Sequence, residues 1–377
     1  MHKAVDSAEK TTGRLLGVDV ARALALIGML MVHFGPKGET DLLGRLYALP
    51  HGRASILFVL VAGIGVSLLG ARPETRSDAR LRLFCFALFL SPLGLALEVL
   101  DHPVAVILHH YAVFYVLGIA AMGLPTRVLG WVAGVTSMAG PLAFYAGLMI
   151  APKLFARESA ELGDSLVSIF SALLFTGPYP LIVWSAPLLW GMWIGRQNLR
   201  DPHVRRRMIW VGALVAIVAI AASEMLFGFF GEPAGNTDWR FVFAHTAHSE
   251  MPLWLIGGTG AAIFAFGLIM EVSARWTRLI GLLAMLGQMA LTVYVAQVLL
   301  LTAAGPQLRQ DEALAATIVV GLLTMVATVF AVIWRRYQRR GPVERLMHAV
   351  WEAADAIWPA RPLPARRDLD RTRGRVA

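Results

Sequence analysis

Ten apolar segments decide what this chain can fold into. They run over 15–35, 53–71, 81–100, 104–123, 127–150, 179–197, 208–230, 252–271, 279–302 and 313–334. Each is close to the 20 or so apolar residues that a helix needs to cross a hydrocarbon core. Only 16% of the residues are charged, against about 25% in soluble domains. The predicted fold class is all-α: a polytopic membrane helix bundle of about ten transmembrane helices. Residues 1–13 read as a cytoplasmic tail, 14–335 as the bundle and 336–377 as an Arg- and Pro-rich cytoplasmic tail. The stretch 165–176 is too short to cross, and before Thr-Gly-Pro-Tyr-Pro it reads as re-entrant or interfacial. Within the last tail, 343–358 has helical periodicity suited to the membrane surface.

The net charge of +9 could suggest a nucleic-acid partner, but its distribution excludes one. Of 34 Lys and Arg, 26 fall in the two tails and the loops on their side, and six in the loops on the other. Arg22 and Arg53 lie within or at the edge of spans. Such an asymmetry places both termini in the cytoplasm. The first apolar run is too long, and too charged, for a cleavable signal. The composition points to a bacterial plasma (inner) membrane. The single cysteine, Cys85, excludes an intrachain disulfide.

The first span carries Asp19, Arg22 and His33. Ionisable groups in a span are costly and face a bundle interior or a wet cavity. Asp19 and Arg22, three apart, can pair. Arg22 and His33 lie on one side of the helix, roughly 16 Å apart along its axis. His51 opens the next span at the same outer face. Seven of ten histidines fall on that side: His33, His51, His102, His109, His110, His245 and His248. Glu98, Asp101, Glu224 and Glu250 share their level, a composition suited to handling protons. Imidazole can take a proton from an attacking hydroxyl or amine, or accept an acyl group itself.

Each residue also has a plainer reading. His102, in an Asp-His-Pro turn, reads as a solvated loop residue. His109 and His110 are adjacent, so at most one would line a cavity. His245 and His248 have a metal-like spacing without a third ligand, and no metal is expected. Gly63 and Gly65 suit close helix packing. Gln288, Thr292, Tyr294 and Gln297 either line a channel or hydrogen-bond between helices, with Gln288 and Thr292 on one helical face.

The stretch from Arg14 to Ser67 resembles the start of the catalytic domain of the heparan-alpha-glucosaminide N-acetyltransferase family, in its bacterial versions. Arg14, Asp19, Arg22, His51, Phe58, Val59 and Gly63 carry the likeness. The family's catalytic link histidine maps onto His51; where the family has an Asn at the outer end of the first helix, this chain has His33. Arg22, ten residues, then His33 is similar to the signature of the related acyltransferase-three family. The box from Gly287 to Gln297 resembles a bacterial membrane family of unknown function from the same transmembrane acyltransferase group, while 125–275 matches nothing specific.

The resemblance implies an acyl-CoA-dependent enzyme, most simply using acetyl-CoA as co-substrate. Its phosphates would meet Arg22, Arg72, Arg76, Arg80 and Arg82, with Asp19 beside them, although the positive-inside rule alone accounts for the latter four. The pantetheine arm would rise along the first span to His33 and His51. A sugar or envelope-glycan acceptor, offering oxygen or nitrogen, would come from outside, with His109, His110, Glu98, Glu224 and the polar residues of 288–297 lining its path. Two other readings stay open: a proton-coupled transporter or flippase of a lipid or glycan intermediate, and a non-catalytic membrane protein.

Overall fold

A computed structural model describes residues 14–36, 42–155 and 157–357. Among them every regular element is helical. In chain order they are α1 (Leu16–Phe34), α2 (Leu42–Ala48), α3 (Arg53–Leu69), α4 (Arg76–Glu98), α5 (Leu108–Ala121), α6 (Thr126–Ile150), α7 (Leu166–Ser171), α8 (Leu181–Ile194), α9 (Pro202–Phe230), α10 (Pro252–Arg275), α11 (Thr277–Gly287), α12 (Ala290–Leu308), α13 (Ala313–Tyr337) and α14 (Pro342–Ile357). Among the described residues eight helices are long and apolar enough to cross a membrane, or nine if one bent pair counts as a span. The protein is thus a multi-pass membrane protein, with fewer straight spans than the ten expected.

The chain has three interruptions, and the first two account for the difference. The first is at 104–123, where α5 has only 14 residues, about 21 Å at 1.5 Å per residue. Pro103 disfavours a helical conformation at His102, and the chain enters the bundle unwound, with Val106 and Ile107 buried. Non-helical backbone at that depth survives only if its donors are satisfied inside the protein. They are: Glu98 accepts from the Val106 amide at 2.8 Å, and the Tyr294 hydroxyl accepts from that of Ile107 at 3.1 Å.

The second is at 165–176, the stretch expected to be re-entrant or interfacial. Helix α7 widens into a π turn at Ala172–Thr176, and Pro178 and Pro180 break the path before α8, which is bent by 57° from it. The third was not foreseen. The segment 279–302 is not one helix; α11 ends and α12 begins around Gln288 and Met289. No proline causes this. Gly287 sits so close to α1 that an added Cβ would lie 1.8 Å from the Asp19 carbonyl oxygen. The break allows that approach.

Helix α1 runs through the core, packed on α3, α10, α11, α12 and α13. Small residues set the spacing around it. A Cβ on Gly63 would strike the Leu188 carbonyl at 2.1 Å, and one on Gly191 the Leu60 carbonyl at 2.0 Å. Helices α3 and α8 therefore meet backbone to backbone, as small residues permit within membranes. Gly65 does something else: its missing side chain leaves room for Arg22.

Helix α14 packs on α4 and α12. Glu344 and His348 are buried beneath the bundle. The Glu344 carboxylate accepts from the amides of Leu291 (2.8 Å) and Thr292 (3.1 Å) and from the Thr292 hydroxyl. Those amides belong to the first turn of α12, where helical donors lack partners and a negative charge is favoured. Met289 gives α12 no side-chain cap; Glu344 supplies one from 52 residues away. The expected tail 1–13, and residues 358–377 of the expected tail 336–377, lie outside the described residues.

Candidate functional site

Arg14, Arg339, Arg340, Glu344 and His348 line one cavity of about 440 Å³. Both described ends of the chain therefore meet on one face, the terminal side. His33, at the far end of α1, marks the opposite or histidine side.

The cavity is built on Asp19. Its carboxylate, 2% exposed, accepts from Arg14 (2.7 and 3.0 Å), Arg22 (2.9 Å) and the Gln288 amide (2.9 Å). The i, i+3 pair with Arg22 forms as the spacing implies. One carboxylate against two guanidinium groups leaves a net positive charge, and Arg22 presents it to the cavity. Arg82 adds a second cation. Its guanidinium lies 5.3 Å from the Phe86 ring centroid and 5.1 Å from that of Trp351, within cation–π range, and it donates to His348 Nε2 at 3.2 Å. Burial pushes the His348 imidazole down to about 4, and Arg82 and Arg340 push the same way. It is therefore neutral near pH 7 and can accept that hydrogen bond. Deeper in, the lining is Phe58, Leu90, Leu108, Tyr111, Tyr115 and Tyr294.

Arg22 and Arg82 line the cavity; Arg72, Arg76 and Arg80 do not. Arg80 instead points at Gly123, beyond the end of α5. Their places are taken by Arg14 and by Arg339 and Arg340 from the last loop. Those residues drew no notice as ligands, because nothing in the local pattern ties residue 340 to residue 22.

On the histidine side each ring is held by one neighbour. His51 Nδ1 lies 3.1 Å from the Tyr47 carbonyl. A carbonyl only accepts, so Nδ1 carries the proton and Nε2 keeps its lone pair. His33 Nδ1 faces the side-chain amide of Gln297. His51 and His102 both lie within electrostatic reach of His33. His102 is no solvated loop residue: it is half-buried and fixed by the Leu97 carbonyl at 2.9 Å.

The remaining expected residues have other roles. His109 and His110 are both 0% exposed, with ring centroids 4.3 Å apart, and neither lines the cavity. They join an aromatic cluster through Tyr179, Trp184 and His248. Glu98 holds the unwound segment before α5. Glu224 is largely exposed and pairs with His245 at 3.5 Å, whereas His248 turns to Glu250. Gln288 and Thr292 do not share a face: the helix break sends one to Asp19 and the other to Glu344. Tyr294 bridges cavity and unwound segment. Along one box, Gln288, Tyr294 and Gln297 therefore reach the terminal side, the middle and the histidine side in turn.

A family model described as "Protein of unknown function (DUF418)" matches residues 193–353. The match contains the 287–297 box and most of α14, and it begins well before the box. It makes the second half of the chain similar to a membrane-associated family of unknown function. No curated protein matches the chain.

Proposed function

We propose that the protein is an integral membrane acyltransferase. It takes an acyl group, most simply acetyl, from acyl-CoA on the terminal side and passes it to a sugar hydroxyl or amine of an envelope glycan on the histidine side. The terminal side is then the cytoplasm and the membrane the plasma membrane. The observation that supports this is the cavity: cationic at its mouth, aromatic and apolar in its depth. Arginines suit the CoA phosphates, and an apolar shaft suits a pantetheine arm.

At the other end His51 Nε2 removes the proton as the acceptor's oxygen or nitrogen attacks the thioester carbonyl. The carbon–sulfur bond breaks, and the leaving CoA thiolate takes up the proton that His51 Nε2 removed from the acceptor. Neither histidine lines the cavity, and His33 stands eleven residues, roughly 16 Å, above Arg22 along α1. The reading therefore requires the floor around Phe58, Tyr111 and Tyr294 to part when the thioester is bound.

The test is acetyl-CoA binding by calorimetry on the purified full-length protein, with transfer of labelled acetyl to glucosamine and to envelope glycan. His51→Ala lowers transfer by roughly a hundredfold, the scale of a lost general base, and leaves binding intact. Equal transfer by His51→Ala, His33→Ala and the parent protein sinks the assignment.

A second reading has its own support. Helices interrupted at α5, at α7–α8 and at α11–α12 are the architecture of transporters, whose sites lie where helices break. A proton-coupled flippase predicts lipid or glycan movement without acyl-CoA, and that measurement separates the two.

A further inference from the structure

A groove of about 720 Å³ lies on another flank, between α6 and α8 on one wall and α9 and α10 on the other. It is lined by Gly130, Gly134, Trp193, Met208, Val215 and Ile263, and Arg127 and Arg207 stand at its terminal-side end. Nearby, Arg205 is engaged with Glu271 at 2.7 Å, and Arg196 with the carbonyls of Ala121, Met122 and Leu124. Neither Arg127 nor Arg207 makes an ion pair among the described residues.

The groove also has the depth of one leaflet. From Arg127 to Ser137 on α6 is ten residues, roughly 15 Å, and from Arg207 to Val215 on α9 is eight, roughly 12 Å. Half of a hydrocarbon core is about 15 Å. At its deep end Ser137 is already occupied, accepting from Trp190 Nε1 at 3.0 Å and donating to the Ala133 carbonyl at 2.8 Å. The walls offer a ligand apolar contact there. A Cβ on Gly134 would meet nothing within 4 Å, so the wall recedes at that point. Trp131 and Val211, on the same lining, are exposed, and the groove opens sideways onto the surface that faces lipid.

We propose that this groove binds one anionic glycerophospholipid of the terminal-side leaflet, its phosphate between Arg127 and Arg207 and one acyl chain along Gly130, Gly134 and Trp193. Two cations at headgroup level select for negative charge, and an apolar trough of leaflet depth selects for a chain. The site is independent of the Asp19 cavity and of the histidine pair.

The test is native mass spectrometry of the full-length protein from micelles holding equal phosphatidylglycerol and phosphatidylcholine. Phosphatidylglycerol is retained over phosphatidylcholine by roughly tenfold or more. The double variant R127Q/R207Q brings the ratio to about one, and R127K/R207K restores much of it, as a site reading charge requires. G134L, which fills the trough without a clash, removes bound lipid of both kinds while acetyl-CoA binding and monodispersity stay unchanged. Equal retention of the two lipids by the parent protein overturns the proposal. So does selectivity that survives R127Q/R207Q, or displacement of phosphatidylglycerol by an equal amount of a polyprenyl phosphate.

Discussion

The two ends of α1 differ in kind. At the terminal side Asp19 is buried, shared by two arginines and an amide, and opens onto a wide cationic cavity. At the histidine side His33 and His51 are half-buried, and each ring has one nitrogen committed to a single neighbour. A fixed hydrogen bond on one nitrogen decides what the other can do. The first end is built to hold a charged ligand, the second to hold a proton in place. Both ends hang on the same box, through Gln288 and Gln297, so α12 couples two sites that α1 keeps apart.

Four substitutions or conditions would break or sharpen that contrast. The largest effect is expected for Gly287→Val. Its Cβ has backbone, not a flexible side chain, 1.8 Å away, so α11 is forced off α1, and the protein should lose its monodisperse peak in size-exclusion chromatography. Next is His51→Ala, with roughly a hundredfold loss of acetyl transfer and unaltered acetyl-CoA binding by calorimetry. If binding fell instead, the division of labour between the two ends would be wrong.

Glu344→Gln should be milder. It keeps an acceptor for the α12 amides but removes the charge at the helix start, worth about 0.3–1 kcal/mol. A small drop in thermal midpoint checks it, and Glu344→Ala should fall further. Acidification is expected to act only locally. His348 titrates at about 4 in the fold, against an ordinary 6.5. Its folded value is the lower one, so the unfolded form binds more protons between those values and stability rises with pH there. The contribution is complete above about 6.5 and is lost as pH falls towards 4. Hydrogen exchange across 342–357 should quicken over that window, and in His348→Gln the pH dependence should flatten.

Much of the fold was legible in the chain before any coordinates. Apolar length and polar interruptions mark the helices, and Asp19 and Arg22 pair because i and i+3 are neighbours on any helix. The prolines around 178–180 announce a broken path. The interruption at Gln288 could not be read, since local sequence there favours one continuous helix and the residue its side chain meets, Asp19, is 269 positions away. The same limit hid the cavity's cations. Arg14 was visible beside Asp19, but Arg339, Arg340 and the capping carboxylate of Glu344 come from a tail that looked solvated.

By itself, then, the sequence determined that this is a helical membrane protein with polar groups at both ends of its first span, because hydrophobic length and helical periodicity are local properties. What His33 faces, which arginines share a cavity and where α12 begins were decided only by tertiary structure. The decisive contacts join residues far apart in the chain: Gln288 with Asp19, Thr292 with Glu344 and Gln297 with His33.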